Sequence, residues 1–509
     1  MANNFNFKDL FVLDLANNHF GNPDHAKKVI KSFGKIVKQK KIKATIKFQF
    51  RNLENFIHPS EINNKKNKYV ERFKSTKLSF NNFSILKNYV KKNSMLTSCT
   101  PFDEDSIDLI EKMKFDILKI ASVSSNDWSL LERSAQNRLP KIISTGGRTL
   151  EEVDKIVSFF TKKNQKFAIM HCIAIYPSPR DTLQLNTISD FRNRYPGITI
   201  GWSTHEDPND LLPSTIAYSG GARIFEKHIG LVSKKYKLNK YSTDPKQFIS
   251  YLENLEKVKK TLGPTKKYID KKELKTLDLL GRGVYAKKNI LAGETLTKKN
   301  IYYAFPIKQN QLSTGNFSLR YNKYTASKSI KKNSPINKNN YKVTFNKKKR
   351  LITGFIHQVK SMLNYGKIDL GPKFDMEISH HYGVDKFKDY GCFLFNCINR
   401  TYAKKIIVQI PNQKHPLHKH KKKEETFQVL SGILFSELNG VKRKLLPGDT
   451  QVVKPNVWHR FHAGKEGCVF EEVSTTHHND DSFYRDKKIK ILKREQRKTF
   501  INNWDTQKL

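Results

Sequence analysis

The sequence predicts an α/β protein whose N-terminal half closes into a (β/α)8 barrel, with smaller β-rich modules behind it. Two patterns predict the barrel. Eight short β-rich runs precede residue 230: LFVLDL from Leu10, ATIKFQ from Ala44, MLTSCT from Met95, FDILKIAS from Phe115, KIISTG from Lys141, KFAIMHCI from Lys166, ITIGWSTH from Ile198 and ARIFEKHI from Ala222. Most are followed by a helical pattern, such as DEDSIDLIEKMK with acids in its first turn, LEEVDKIVSFFTKK, and DPKQFISYLENLEKVKKTLG closed by a glycine. A third observation sets the domain plan. Beyond residue 265 the alternation of strand and helix gives way to short strands broken by turn residues, so the chain reads as a barrel over 1–265, a linker and small β module over 266–345, and a third unit over 346–509.

Taken in order, the strand ends are unusually polar for such apolar runs, and in a barrel of this kind (a TIM barrel) reactive groups sit where strands end and loops begin. The first offers Asp14, Asn17, Asn18 and His19, the second Lys47 and Gln49, and the third Thr100 and Asp103. Lys119 and Ser122 follow, then Ser144 and Thr145, His171 and Tyr176, Ser203 and His205, and finally Glu226 and His228. Strands seven and eight are neighbours, so His205 and His228 are expected to approach one divalent ion. Lys47 and Lys119, with hydroxyls from Thr100, Ser122 and Ser144, suit a phosphate and a carboxylate. The Lys/Asn-rich piece from 51 to 82 is expected to be an insertion after the second strand.

The length of 509 residues, 37% of them hydrophobic, supports a large globular core. The formal charge of +47 would ordinarily raise nucleic acid or an anionic membrane as partner, but the lysines are spread through every segment and no recognition motif organises them. The expectation is no nucleic acid and no membrane, with a field that favours anionic small substrates. Five cysteines without a CxxC pair suit a reducing compartment, and no 18-residue apolar run appears, so a cytoplasmic location is expected.

The motifs NNHFGN, IKFQ, TPFDEDSIDLIEKM, LKIAS, STGG, HCIAIYPSP, GWSTHED and IFEKHI resemble, in the same order, those of the N-acetylneuraminate (sialic acid) synthase family, over about residues 8 to 262. The resemblance implies condensation of phosphoenolpyruvate with an amino-sugar aldehyde, giving a nonulosonic 2-keto acid and phosphate, for surface polysaccharide biosynthesis. It implies Mn or Mg on His205 and His228, catalytic roles for Asp14, Lys47, Lys119 and Tyr176, and substrate contacts from Gln49, Thr100, Ser122, Ser144 and Ser203. The chain departs from the family in placing Asp14 where glutamate is usual, and Leu238 and Asn239 where an Asp-His pair contacts the sugar. The stretch LGRGVYAKKNILAGETLTKKNIYYAFP resembles the antifreeze-like domain of the same family, which implies a homodimer. There Phe305 replaces the usual arginine, leaving Lys308 as a loose substitute.

In the third unit, alternating strands are joined by Asn-Gly and Pro-Gly-Asp turns. His418 and His420 share one strand face, and Glu425 and His459 can close the same site around Mn, Fe, Zn or Ni. This spacing resembles the cupin metal motif, and EISHHYG and EEVSTTHH further resemble D-lyxose ketol-isomerase-like cupins, with Glu472 and His380 as candidates for moving protons. Two functions follow: a synthase with a sugar-isomerising or sugar-binding cupin, or a non-synthase relative in which the cupin is the active isomerase or epimerase or a sugar-binding module.

Overall fold

The computed structural model describes residues 5–64, 66–265, 267–319, 321–371 and 374–502. The chain divides into two compact units, 1–268 and 269–509.

The first is a closed barrel of eight parallel strands in sequential order. They are β1 (Leu10–Asp14), β2 (Lys43–Phe50), β3 (Leu96–Pro101), β4 (Ile117–Ile120), β5 (Lys141–Ser144), β6 (Phe167–Cys172), β7 (Thr199–Ser203) and β8 (Ile224–His228). Side chains alternate across each strand. One set, including Phe11, Leu13, Ile46, Phe48, Leu118, Ile143, Ile169, Trp202 and Phe225, packs outward against the helices. The other fills the lower lumen with Leu10, Val12, Ile117, Ile142, Ala168, Met170 and Ile224. Gly201 belongs to this inward set, because a Cβ there would stand 2.9 Å from both Ile224 and Met170.

The expected first-turn acids are Glu104 and Asp105 of Glu104–Lys112, and the expected closing glycine is Gly263 after Pro245–Leu262. In addition, Thr149 and Glu152 form a capping box at the start of Leu150–Lys162, and Asp244 and Gln247 form another ahead of Pro245–Leu262. Residues 51–82 are an insertion with helices Leu53–Phe56 and Lys68–Ser75.

The second unit holds separate apolar clusters. Val284, Ala286, Ile290, Leu296, Ile301, Leu312, Tyr324, Ile330 and Ile336 form the core of a small module of paired short strands, in which Gly293 takes a φ of +86°. From residue 375 a ten-stranded antiparallel sheet forms. The helix Lys347–Tyr365 covers one of its faces with Ile352, Ile356, Val359 and Leu363. A second cluster, including Phe427, Val429, Leu434, Phe461 and Phe470, lies among the strands. Asn439 and Gly440, both at positive φ, make the tight hairpin between Glu425–Leu438 and Val441–Leu445. Among the described residues, no helix is long and apolar enough to cross a membrane.

Candidate functional site

The barrel site is the upward continuation of the lumen's apolar column. Two residues above Val12 stands Asp14, above Ile117 Lys119, above Ile142 Ser144, above Met170 Cys172, and above Ile224 first Glu226 and then His228. The pattern puts Ser203 and His205 above Gly201, so the apolar run of the seventh strand ends in chemistry because its inward face rises from packed core to open mouth. Strand register sets Asp14 level with both Lys47 and His228, and Ser203 level with Cys172 and Glu226.

Two lysines and two carboxylates dominate this layer. Lys47 Nζ lies 2.9 Å from Asp14 Oδ2 and 2.5 Å from Glu226 Oε1. Lys119 Nζ lies 3.6 Å from Glu226 Oε2 and donates to Ser144 Oγ. Burial opposes the charge on Lys47, but Asp14 and Glu226 outweigh it and raise its pKa. Burial wins at Lys119 and lowers its pKa despite Glu226. Burial would also raise Glu226, yet Lys119 and Lys47 bring it down to about 2. Two lysines and two carboxylates balance in formal charge, and the carboxylates occupy the lysines as an anion would.

The two barrel histidines face one another with ring centroids 5.3 Å apart. Burial holds His205 down to about 3 and lowers His228 as well, so both rings are neutral, as metal ligation requires. His205 Nδ1 is 3.0 Å from the Ile173 carbonyl, which assigns its proton to Nδ1 and leaves the Nε2 lone pair free. His228 Nε2 is 3.5 Å from Asp14 Oδ2. The set suits a divalent ion whose remaining positions are filled by substrate or water oxygens.

Of the other expected residues, Tyr176 packs against His205 in a tilted arrangement with ring centroids 4.1 Å apart, and Thr100 Oγ1 is buried without a hydrogen-bond partner among the described residues. Ser122 Oγ accepts from the Gly146 amide, and Ser122 and Ser203 both lie against the Cys172 thiol. Gln49 Oε1 accepts from Arg51. Asn239 is exposed and caps its own turn, accepting from the Tyr241 amide, so it does not join the cluster. Lys308 is an exposed residue of the second unit. Sequence reading placed Glu226 at the mouth but gave it no role, although its two-residue offset from His228 puts both on one face. It also passed over Tyr241, whose ring lies 5.2 Å from His228 and 5.5 Å from Tyr176.

The second unit gathers His418, His420 and His459 so that one nitrogen of each lies within 4.8 Å of the others. Their three Nδ1 atoms face the carbonyls of Pro416, Asp481 and Val457 respectively, an arrangement that fixes the tautomer and turns each Nε2 lone pair inward. Glu425 Oε1 is 3.3 Å from His420 Nε2, and its Oε2 is 3.1 Å from His459 Nε2. Those last two atoms are buried and make no hydrogen bond, at a separation ordinary for neighbouring ligands of one ion. The donor set therefore fits a transition metal.

Around it lies a cavity of about 50 Å³ lined in part by Glu377, Lys405, Lys423, Glu472, Tyr484 and Lys498. Lys423 Nζ bridges Glu425 and Glu472. Glu472 thus stands where the sequence placed it, but His380 does not line the cavity; its Nε2 lies 3.1 Å from Thr499 Oγ1. Alternation along Asp375–Ser379 sends Glu377 and Ser379 into the cavity and His380 away. His381 turns back instead, with Nε2 3.1 Å from His415 Nε2.

Comparison with known proteins agrees with this division. Residues 36–267 match the NeuB family and residues 406–474 match the cupin domain. The chain is 32% identical over 291 residues to an uncharacterized protein of Methanocaldococcus jannaschii, covering 57% of this chain and 82% of that one. It is 26% identical to N-acetylneuraminate-9-phosphate synthase of Mus musculus, covering 56% and 80%, and 28% identical to pseudaminic acid synthase of Campylobacter jejuni, covering 46% and 68%. A crystal structure of a Chromobacterium violaceum protein assigned to spore coat polysaccharide biosynthesis superposes with a TM-score of 0.64 at 39% identity, covering 66% of this chain and all of that one.

Proposed function

Because the chain belongs to the NeuB family, we propose that its barrel condenses phosphoenolpyruvate with an amino-sugar aldehyde to give a nonulosonic 2-keto acid and phosphate. The observation that carries this reading is the single buried layer in which Lys47 and Lys119 sit beside Asp14, Glu226 and two neutral imidazoles.

Lys47 and Lys119, with the hydroxyls of Thr100, Ser122 and Ser144, hold the phosphate and carboxylate of phosphoenolpyruvate and fix the face it presents. Its enol carbon attacks the aldehyde carbon, and the aldehyde oxygen takes up a proton from solvent water, balanced by the proton released when water adds at C2. His205 and His228 would hold a divalent ion, Mn or Mg, which would supply Lewis-acid polarisation of that aldehyde. Water then adds at the cationic C2 and gives its proton to Asp14. Collapse of the tetrahedral centre breaks the C–O bond and expels phosphate. Tyr176, packed against His205, borders this side of the mouth. The cupin holds one Mn, Fe, Zn or Ni ion on His418, His420, Glu425 and His459 and binds or isomerises a sugar there, and the protein works as a cytoplasmic homodimer through its antifreeze-like module.

The test is phosphate release from phosphoenolpyruvate against a panel of amino-aldoses, with Mn or Mg. Release that requires both an aldose and a divalent ion, and that is lost in His205→Ala and His228→Ala, supports the reading. A fully active double variant removes the metal assignment. Absence of release with every aldose favours the second reading, in which the cupin alone is active.

A further inference from the structure

We propose that the acceptor aldose carries an oxyanion, phosphate or carboxylate, and that Arg51 at the rim of the barrel receives it; this rests on the barrel being a synthase. Arg51 follows β2 directly. Its Nη2 donates to Gln49 Oε1, and Gln49 follows Lys47 on the same face of β2, so Arg51 lies past Lys47 on the mouth side. It is therefore placed to meet the end of the acceptor remote from the reacting carbonyl.

What distinguishes this guanidinium is how it is held. Its carbon lies 3.6 Å from the Phe102 ring centroid and 4.1 Å from that of Phe73, with Phe56 at 6.0 Å. Phe56 and Phe73 come from the insertion, which is further tied to the barrel by Thr76 Oγ1 donating to Asn17 Oδ1 at 3.3 Å. The aromatic rings orient the planar group without satisfying its N–H donors. Its one hydrogen bond, among the described residues, runs from Nη2 to Gln49 Oε1 at 3.2 Å, and Nε is buried with no partner.

No carboxylate among the described residues lies within ion-pairing distance of Arg51. The nearest in effect, Asp103, is committed elsewhere, accepting from the Asn52 amide at 2.8 Å and the Ser106 amide at 2.7 Å. Burial accordingly lowers the Arg51 pKa to about 10, against the pull of Asp103 and Asp14. Sequestering the Nε donor of a half-buried cation without a partner is costly, and arginine's planar fork matches two oxygens of a phosphate or carboxylate. A structural role alone, pinning the insertion by stacking, would leave those donors wasted. The insertion therefore serves to orient an anion receptor.

The experiment measures binding to the full chain, with Mn and saturating phosphoenolpyruvate so that the Lys47 and Lys119 subsite is filled. Three probes share one skeleton: an N-acetylhexosamine, its 6-phosphate and the corresponding uronic acid. At least one anionic probe should bind about tenfold or more tighter than the neutral sugar, and which one does so identifies the oxyanion. Arg51→Met, which keeps the apolar contacts, should bring the three within about twofold while leaving phosphoenolpyruvate binding unchanged. Arg51→Lys, which keeps the charge between the rings and loses the fork, should retain only part of the preference. Equal binding of the three probes to the unmodified protein, or a preference that survives in Arg51→Met, would overturn the proposal. If no acceptor supports phosphate release, the synthase reading falls while the binding preference still decides the role of Arg51.

Discussion

Replacing Glu226 by glutamine tests the charge balance on which the barrel site depends. In the unliganded layer Glu226 is the carboxylate shared by both lysines, at 2.5 Å from Lys47 Nζ and 3.6 Å from Lys119 Nζ. Glutamine keeps the volume and removes the charge. Lys47 retains Asp14, but Lys119 is left with Ser144 and the Ile120 carbonyl, neither of them charged. Breaking a buried pair in this way costs about 3–5 kcal/mol. Release of a proton by Lys119, which burial already favours, draws the figure toward the lower end. At about 3 kcal/mol the melting temperature of a barrel of this size falls by roughly 6–12 °C. Phosphoenolpyruvate supplies the missing negative charge to the same lysines, so it should raise the melting temperature of Glu226→Gln by more than it raises that of the unmodified protein. Differential scanning calorimetry with and without the ligand reads both quantities. A variant that melts with the unmodified protein would show that Glu226 does not compensate the lysines. Equal ligand shifts in the two proteins would show that the lysines are not where the anion binds, and Lys119→Met, which should lose most of the shift, provides the control.

The cupin metal should be removable alone: the intact chain should bind one transition metal at the histidine cluster by elemental analysis, His418→Ala with His420→Ala should abolish that binding, and phosphate release by the barrel should be largely unchanged. Acid should weaken the barrel through His19, which burial lowers from 6.5 to about 4. Below pH 6.5 the unfolded chain takes up a proton that the folded ring refuses until about pH 4, so stability falls across that window, by about 1 kcal/mol between pH 6.5 and 5.5, and His19→Gln should flatten the profile seen in denaturant melts at those two pH values. Gly432→Ala should destabilise the cupin by about 1–3 kcal/mol, since the residue has a φ of +83° and the new Cβ would meet the Gly467 carbonyl oxygen at 2.2 Å; an unchanged melting temperature would show that the backbone relaxes there at no cost.

The barrel was legible because its two periodicities are local: strands of four to eight residues alternate with helices whose caps, such as Thr149 with Glu152, stand beside them in sequence. The candidate site was legible to the extent that it obeys the same alternation. Asp14, Lys47, Lys119, Ser144 and His228 each extend an inward-facing series, and reading the strand ends was enough to find them. Glu226 obeys the rule too, yet its importance lies in touching Lys47 and Lys119, which are 179 and 107 positions away, and no local pattern announces which cation a carboxylate will meet. Asn239 failed for the opposite reason. It was placed by correspondence with a motif the chain no longer has, and in a loop free of strand alternation its amide was taken by the nearest backbone donor, the Tyr241 N–H. His380 and His381 lie where that period stops: alternation governs up to Ser379, and the left-handed turn at His381, with φ of 32°, ends it, so the His381 ring is set by its contact with His415 and not by the strand. In this chain, positions within a strand are fixed by period and positions beyond it by whichever hydrogen bond or turn comes first, which is why the histidines of the cupin strands could be placed from sequence and the ones flanking them could not.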